Sequence, residues 1–323
     1  MLALIRRGPT GRLVRVATVA LAIILGIEIA ARLVRLPSPP VLGPAPWNCT
    51  RRDARLGFSF IPSCRGNHSS TDVRTNAVGL RGPELRDDGS IRVLALGDSC
   101  TWGWRVDEAD AYPAVLQRLL DRRAGAGRFQ VLNAGAPGYN SLQGVRYLAD
   151  RGVTLRPGII IAGFLWNDAG PGQDAGEQLA ETTPPAFAIA IHEFLLLHSH
   201  VYRWVQAWVS ANEGPPSEDR QRPHRVPPEQ FEDNMRRIAE LARDAGSRLV
   251  FIDWNVPAMA EYRERIGRVA RDLDVPVVTY DGPRSDPIHP TAEGDAALAE
   301  RILEVLTTTG LLEPGSPPAP GGA

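Results

Sequence analysis

The sequence contains no lysine; all 36 of its basic residues are arginine. That excludes a phosphate-loop lysine, a lysine Schiff base and a catalytic lysine, and with them several enzyme classes. Cysteine is scarce as well. Cys49, Cys64 and Cys100 are too few for a disulfide-built scaffold and lack metal-ligand spacing. Cys49 and Cys64 flank a short polar stretch and could pair in an oxidising compartment, but their spacing alone leaves that open. Net charge is also close to absent. A formal value of -1 gives no electrostatic case for a nucleic-acid partner. No internal repeat is present. What remains, 43% hydrophobic and 23% charged residues over 323 positions, suits one folded domain with appendages.

The N-terminus has a directional pattern. Arg6, Arg7, Arg12 and Arg15 precede an apolar run from Val16 to Ala31 that only Glu28 interrupts. From Leu13 to Val34 the run approaches the ~20 residues of a membrane-spanning helix. Glu28 and Arg32 stand one helical turn apart and can pair. The arginine bias puts the N-terminus in the cytoplasm, which makes 1–36 a single-pass signal-anchor and the remainder extracytoplasmic. A cleaved signal peptide and a buried core helix are the alternatives. Residues 37–50 read as a stiff proline-rich linker, 51–312 as the folded domain and 313–323 as a disordered tail.

Within 51–312, short β-rich runs alternate with helical stretches. The strands expected are Ile91–Leu96, Phe129–Leu132, Gly158–Gly163, Arg248–Asp253 and Val275–Tyr280. The helices expected are Ala111–Arg123, Ser141–Arg151, Glu193–Val209, Pro228–Ala245, Ala258–Leu273 and Thr291–Thr307. This rhythm predicts parallel βαβ units, a sheet covered on both faces and a three-layer α/β fold. Residues 169–228 break it and read as an insertion. Its apolar helix carries Tyr202, Trp204 and Trp208, a cap on the core or a cleft wall.

Open parallel sheets bind ligands beyond the carboxyl ends of their strands. Every strand end but the fourth delivers a residue useful for acyl transfer. They are Gly97-Asp98-Ser99, Asn133 to Gly138, Trp166-Asn167-Asp168 and Ser285-Asp286-x-x-His289. A serine hydroxyl needs a neighbouring base, and His289 suits that role near neutral pH. Asp286 can hold the imidazole in the useful tautomer. The developing oxyanion can be met by the Ser99 and Gly138 backbone N–H groups and the Asn167 amide. His192, His198 and His200 have no accompanying Cys or carboxylate pattern, so no metal site is expected. Arg81 is either a cleft residue or one half of a surface ion pair, and Asp98 a ligand of its own loop.

These four blocks, in this order over about 91–306, resemble the SGNH (GDSL-type) hydrolase family. The segment Asn76-x-x-Gly79-Leu80-Arg81-Gly82 and the Glu-bearing N-terminal helix resemble a membrane-anchored bacterial subset. The resemblance implies a flavodoxin-like α/β/α sandwich, Ser99 with Asp286 and His289 as a catalytic triad, and Gly138 and Asn167 in the oxyanion hole. It also implies an esterase with neither metal nor organic cofactor. One departure is Gly163-Phe-Leu-Trp-Asn167, where the family more often has a glycine just before or two before the asparagine. The expected substrate is a short acyl ester, a small molecule or an O-acetylated glycan of the envelope. An O-acyltransferase using the same triad and a non-catalytic envelope-binding module are the alternatives. The sequence is silent on oligomeric state.

Overall fold

The computed structural model describes residues 9–34, 49–53, 55–68, 71–170, 191, 194–195, 198–212 and 224–313. The proline-rich linker up to residue 48, most of the 169–228 insertion, His192 and the tail beyond 313 lie outside the described residues. The chain divides into two compact units, Met1–Ala45 with Pro184–Asp219, and Pro46–Thr183 with Arg220–Ala323.

The larger unit opens with two antiparallel hairpins. The first pairs β1 (Thr50–Asp53) with β2 (Gly57–Phe60), the second β3 (Arg65–His68) with β4 (Thr71–Arg74). Cys49 and Cys64 form a disulfide that brackets the first hairpin, so the pairing left open by the sequence is present. A five-stranded parallel sheet follows, made of β5 (Ile91–Gly97), β6 (Phe129–Gly135), β7 (Pro157–Gly163), β8 (Arg248–Asp253) and β9 (Val277–Thr279). Its order is β6-β5-β7-β8-β9. That is the flavodoxin-like order, and the direction of winding reverses after β6.

The connections between the parallel strands place the helices on both faces. The helix α2 (Tyr112–Ala124) packs against α7 (Ala292–Thr308), while α3 (Ser141–Tyr147), α5 (Pro228–Asp244) and α6 (Ala260–Asp272) form the other layer. Two short helices, α1 (Ser99–Trp102) and α4 (Trp166–Ala169), begin just beyond β5 and β7. The strands are apolar on both sides for the same reason; Val93 to Leu96 and Ile159 to Ala162 are all 0% exposed. Each such Leu or Ile contributes about 1.5–3 kcal/mol of burial. The helix expected over Ser141–Arg151 stops at Tyr147 and continues as a wider turn to Gly152.

The smaller unit holds the helix Pro9–Leu33 and the helix His200–Asn212, which pack together. The Glu28 carboxylate pairs with Arg32 at 2.9 Å, as expected from their spacing. It also caps the second helix, accepting from the Ser199 hydroxyl (2.9 Å) and the backbone N–H groups of His200 (2.9 Å) and Val201 (3.0 Å). Ile23, Leu25, Ile27 and Ile29 are exposed. Among the described residues, no helix is long and apolar enough to cross a membrane. The segment expected to be the anchor is present as a helix, and its one acid is engaged by a second helix.

Candidate active site

The carboxyl ends of β5, β6 and β7 finish on glycines in register, Gly97 beside Gly135 and beside Gly163. A Cβ on Gly97 would press on the Thr101 side chain and stand 2.6 Å from the Gly163 carbonyl oxygen. A Cβ on Gly135 would stand 2.6 Å from the Thr101 backbone. The absence of side chains here lets α1 sit directly on the sheet. Asp98 starts that helix, its Oδ1 accepting from the Cys100 N–H at 2.9 Å, the loop role expected for it. Gly103 ends it at φ +85, a left-handed conformation that glycine adopts without penalty.

Ser99, at the first position of α1, meets the loop after β9. Its Oγ lies 2.9 Å from His289 Nε2, and His289 Nδ1 lies 2.7 Å from Asp286 Oδ2. The other oxygen, Asp286 Oδ1, accepts from the backbone N–H groups of Ile288 (3.0 Å) and His289 (2.9 Å). Partial burial works to raise the Asp286 carboxyl. The donors from His289 and Ile288 outweigh it and hold the group below the usual carboxylate range. The acid and the imidazole therefore share one turn, and both oxygens of the acid are committed.

Gly138 has φ +88, and a Cβ there would meet no protein atom within 4 Å. That φ favours glycine whatever the space around it. The Asn167 side chain, carried on α4, donates to the Tyr139 carbonyl at 2.9 Å. That bond sets it beside the Gly138 loop. Next to it, Asp168 is fully buried; its Oδ1 accepts from the backbone N–H (2.9 Å) and hydroxyl (2.5 Å) of Ser141. Asn234 donates to the same hydroxyl at 2.8 Å. Burial raises the carboxyls of Asp98 and Asp168 to about 7 each.

Arg81 fits neither reading made from the sequence. It is 2% exposed and lies under α1 and the loop that follows it. Its guanidinium donates to the carbonyls of Trp102 (2.5 Å), Gly103 (3.1 Å) and Val106 (2.8 Å), and sits 5.0 Å from the centre of the Trp102 ring. Burial pulls it down to about 10, which leaves it charged at neutral pH. Trp104 was also missed. Its ring stacks on the His289 imidazole, with centroids 5.6 Å apart and planes inclined by 22°. His198 and His200 lie in the smaller unit, and no metal-ligand cluster is found among the described residues.

The model of the GDSL-like Lipase/Acylhydrolase family matches residues 95–297, well over half of the chain. Solved structures are similar over most of their own length, but at low sequence identity. The lipase/acylhydrolase from Enterococcus faecalis is 18% identical, covering 70% of this chain and 99% of its own, with a TM-score of 0.44. The esterase EstA from Pseudoalteromonas sp. is 11% identical, covering 68% and 98%, with a TM-score of 0.43. The acetyl xylan esterase AlAXEase is 13% identical, covering 66% and 98%, with a TM-score of 0.44. No curated protein matches by sequence. The chain belongs to the GDSL-like lipase/acylhydrolase family and is a carboxylic ester hydrolase.

Proposed function

We propose that the chain cleaves short acyl esters through an acyl-enzyme on Ser99. The observation that carries this reading is the continuous chain from Ser99 Oγ to His289 Nε2 (2.9 Å) and from His289 Nδ1 to Asp286 Oδ2 (2.7 Å). Ser99 Oγ attacks the ester carbonyl carbon while its proton passes to His289 Nε2. The negative oxygen is met by the Ser99 and Gly138 N–H groups and the Asn167 amide. Each such donor is worth about 3 kcal/mol in the barrier. The intermediate collapses, the C–O bond to the alcohol breaks, and His289 returns the proton to the departing oxygen. Water then repeats the sequence and releases the acid.

The site works outside the cytoplasm in this reading, held at a membrane by the Pro9–Leu33 helix. The exposed apolar row on that helix and the Cys49–Cys64 disulfide support this.

The test is hydrolysis of p-nitrophenyl acetate, butyrate and octanoate by the full chain, beside Ser99→Ala and His289→Ala. Turnover by the wild type, falling by orders of magnitude in both variants, is expected. A folded wild type inert on all three esters would refute hydrolysis. Cell fractionation tests the location, and recovery of the intact chain in the soluble cytoplasmic fraction would refute it.

A further inference from the structure

Two consecutive residues of α4 are tied to the segment that runs from Gly138 into α3. The Asn167 amide donates to the Tyr139 carbonyl at 2.9 Å. One residue on, the Asp168 carboxylate accepts from the Ser141 backbone N–H (2.9 Å) and hydroxyl (2.5 Å). We propose that Asp168 and Ser141 are positioning residues of the oxyanion hole, and that their contact fixes where the Asn167 amide stands relative to the Gly138 N–H. The proposal rests on the reading of Ser99 as nucleophile and of Gly138 and Asn167 as oxyanion donors.

The need for a tie follows from the size of α4. It has four residues, Trp166–Ala169, and no side chain caps its start. A single turn does not hold itself, because fixing its backbone costs more than its few hydrogen bonds return. Val226 and Arg225 steady its main chain, donating N–H groups to the carbonyls of Asp168 (3.1 Å) and Gly170 (3.0 Å). The link toward Gly138 is made by the side chains of Asn167 and Asp168. One bond to Tyr139 would let the amide swing about it, and a second tie one residue on removes that freedom. The same amide reaches Asp98 Oδ2 only at 3.5 Å, a long contact that an oxyanion can displace.

Ser141 is a firm reference point. It opens α3, whose start is closed by a reciprocal cap between Asn140 and Gln143, both bonds 3.0 Å. Its hydroxyl donates to Asp168 Oδ1 and accepts from the Asn234 amide of α5 at 2.8 Å, so its direction is set. Ser141, Asp168 and Asn234 are all buried. Stability alone does not explain the acid. Asp168 Oδ2 is buried with no hydrogen-bond partner among the described residues, a cost that an apolar residue would avoid. What the carboxylate supplies and an apolar residue cannot is the bond to Ser141.

The experiment measures kcat and KM for p-nitrophenyl acetate with the full chain, in Asp168→Ala, Asp168→Asn, Asn167→Ala and Asn167→Ala/Asp168→Ala. Asp168→Ala is expected to lower kcat by about tenfold or more with KM within about twofold, because the oxyanion exists only in the transition state and the intermediate beside it. Asp168→Asn keeps an oxygen for Ser141 and should restore most of the loss. In the Asn167→Ala background the change at Asp168 should cost less than about threefold, since no amide is left to position. Ser141→Ala removes one hydroxyl from the tie and carries the same test where Asp168→Ala does not fold, with a smaller fall in kcat that also vanishes without Asn167. Losses that multiply in the double variant overturn the positioning role. So does a folded Asp168→Asn as slow as Asp168→Ala, or an unchanged kcat in Asp168→Ala (in Ser141→Ala where the former does not fold). Each of these leaves the hydrolase standing, whereas a wild type inert on the ester overturns the triad reading itself.

Discussion

Replacing Asp286 by asparagine isolates the orienting role of the acid, because the surrounding backbone decides which way the new amide points. Oδ1 accepts two backbone N–H groups, at 2.9 and 3.0 Å, so the asparagine oxygen must occupy that position. The amide nitrogen then lands where Oδ2 was, 2.7 Å from His289 Nδ1. Two donors cannot face each other there. The imidazole answers by carrying its proton on Nε2, and it can no longer accept the proton of Ser99. A wrong tautomer of this kind costs about 10⁴-fold in kcat, or about 5–6 kcal/mol in the barrier. Stability should change little, since both backbone bonds survive. The assay is kcat for p-nitrophenyl acetate at neutral pH, with urea unfolding as the control. A folded Asp286→Asn protein that retains activity within tenfold of the wild type would show that Asp286 does not set the tautomer.

Other expectations follow from the same geometry. Arg81→Ala strands three carbonyls that a buried cation now serves, and should lower kcat more than it raises KM. Arg81→Lys should restore part of the loss, and full activity in Arg81→Ala would refute its positioning role. Cys49→Ser/Cys64→Ser should destabilise the fold by about 3 kcal/mol for a 15-residue separation, read from urea midpoints with and without the bond. Asp168 has a carboxyl raised to about 7 in the folded state, against an ordinary value near 3.8. The folded protein therefore holds this proton more tightly than the unfolded chain, and the stability tied to it is lost as pH rises between those values. Asp168→Asn should flatten the fall in urea midpoint between pH 5 and 8, and an unchanged slope would refute the assignment.

The five strands were legible because each is an apolar run bounded by turn residues, the signature of burial on both faces. The triad and Asn167 were legible because each follows such a strand. The two opening hairpins were not. Their strands are four residues long, and Thr-Arg-Arg-Asp and Arg-Gly-Asn-His offer no alternation to detect. Arg81 was opaque for another reason. Its partners are carbonyls 21 to 25 residues away, a class of contact with no side-chain signal in sequence. Trp104 had a single signal available, its nearness to Ser99 in sequence, and only the fold brings it onto His289. The N-terminal helix was legible from its apolar run, but hydropathy along one segment does not reveal that Glu28 caps a second helix.

The three glycines at the strand ends set a requirement made of missing atoms. Chemical groups can be traded, and a lost hydrogen bond can be replaced by another donor nearby. Empty space has no such substitute where its wall is main chain, as at Gly135, which faces the Thr101 and Trp102 backbone. Gly97 and Gly135 are thus one geometric constraint, the seat of α1, written at two separated places in the chain, while Gly163 leaves room for the Trp254 and Ile252 side chains. In a saturation-mutagenesis map the three would form columns of intolerance, those of Gly97 and Gly135 linked through α1. Second-site suppressors of a change at Gly135 would have to lift α1 as a whole, whereas at Gly163 they could trim the Trp254 or Ile252 side chain.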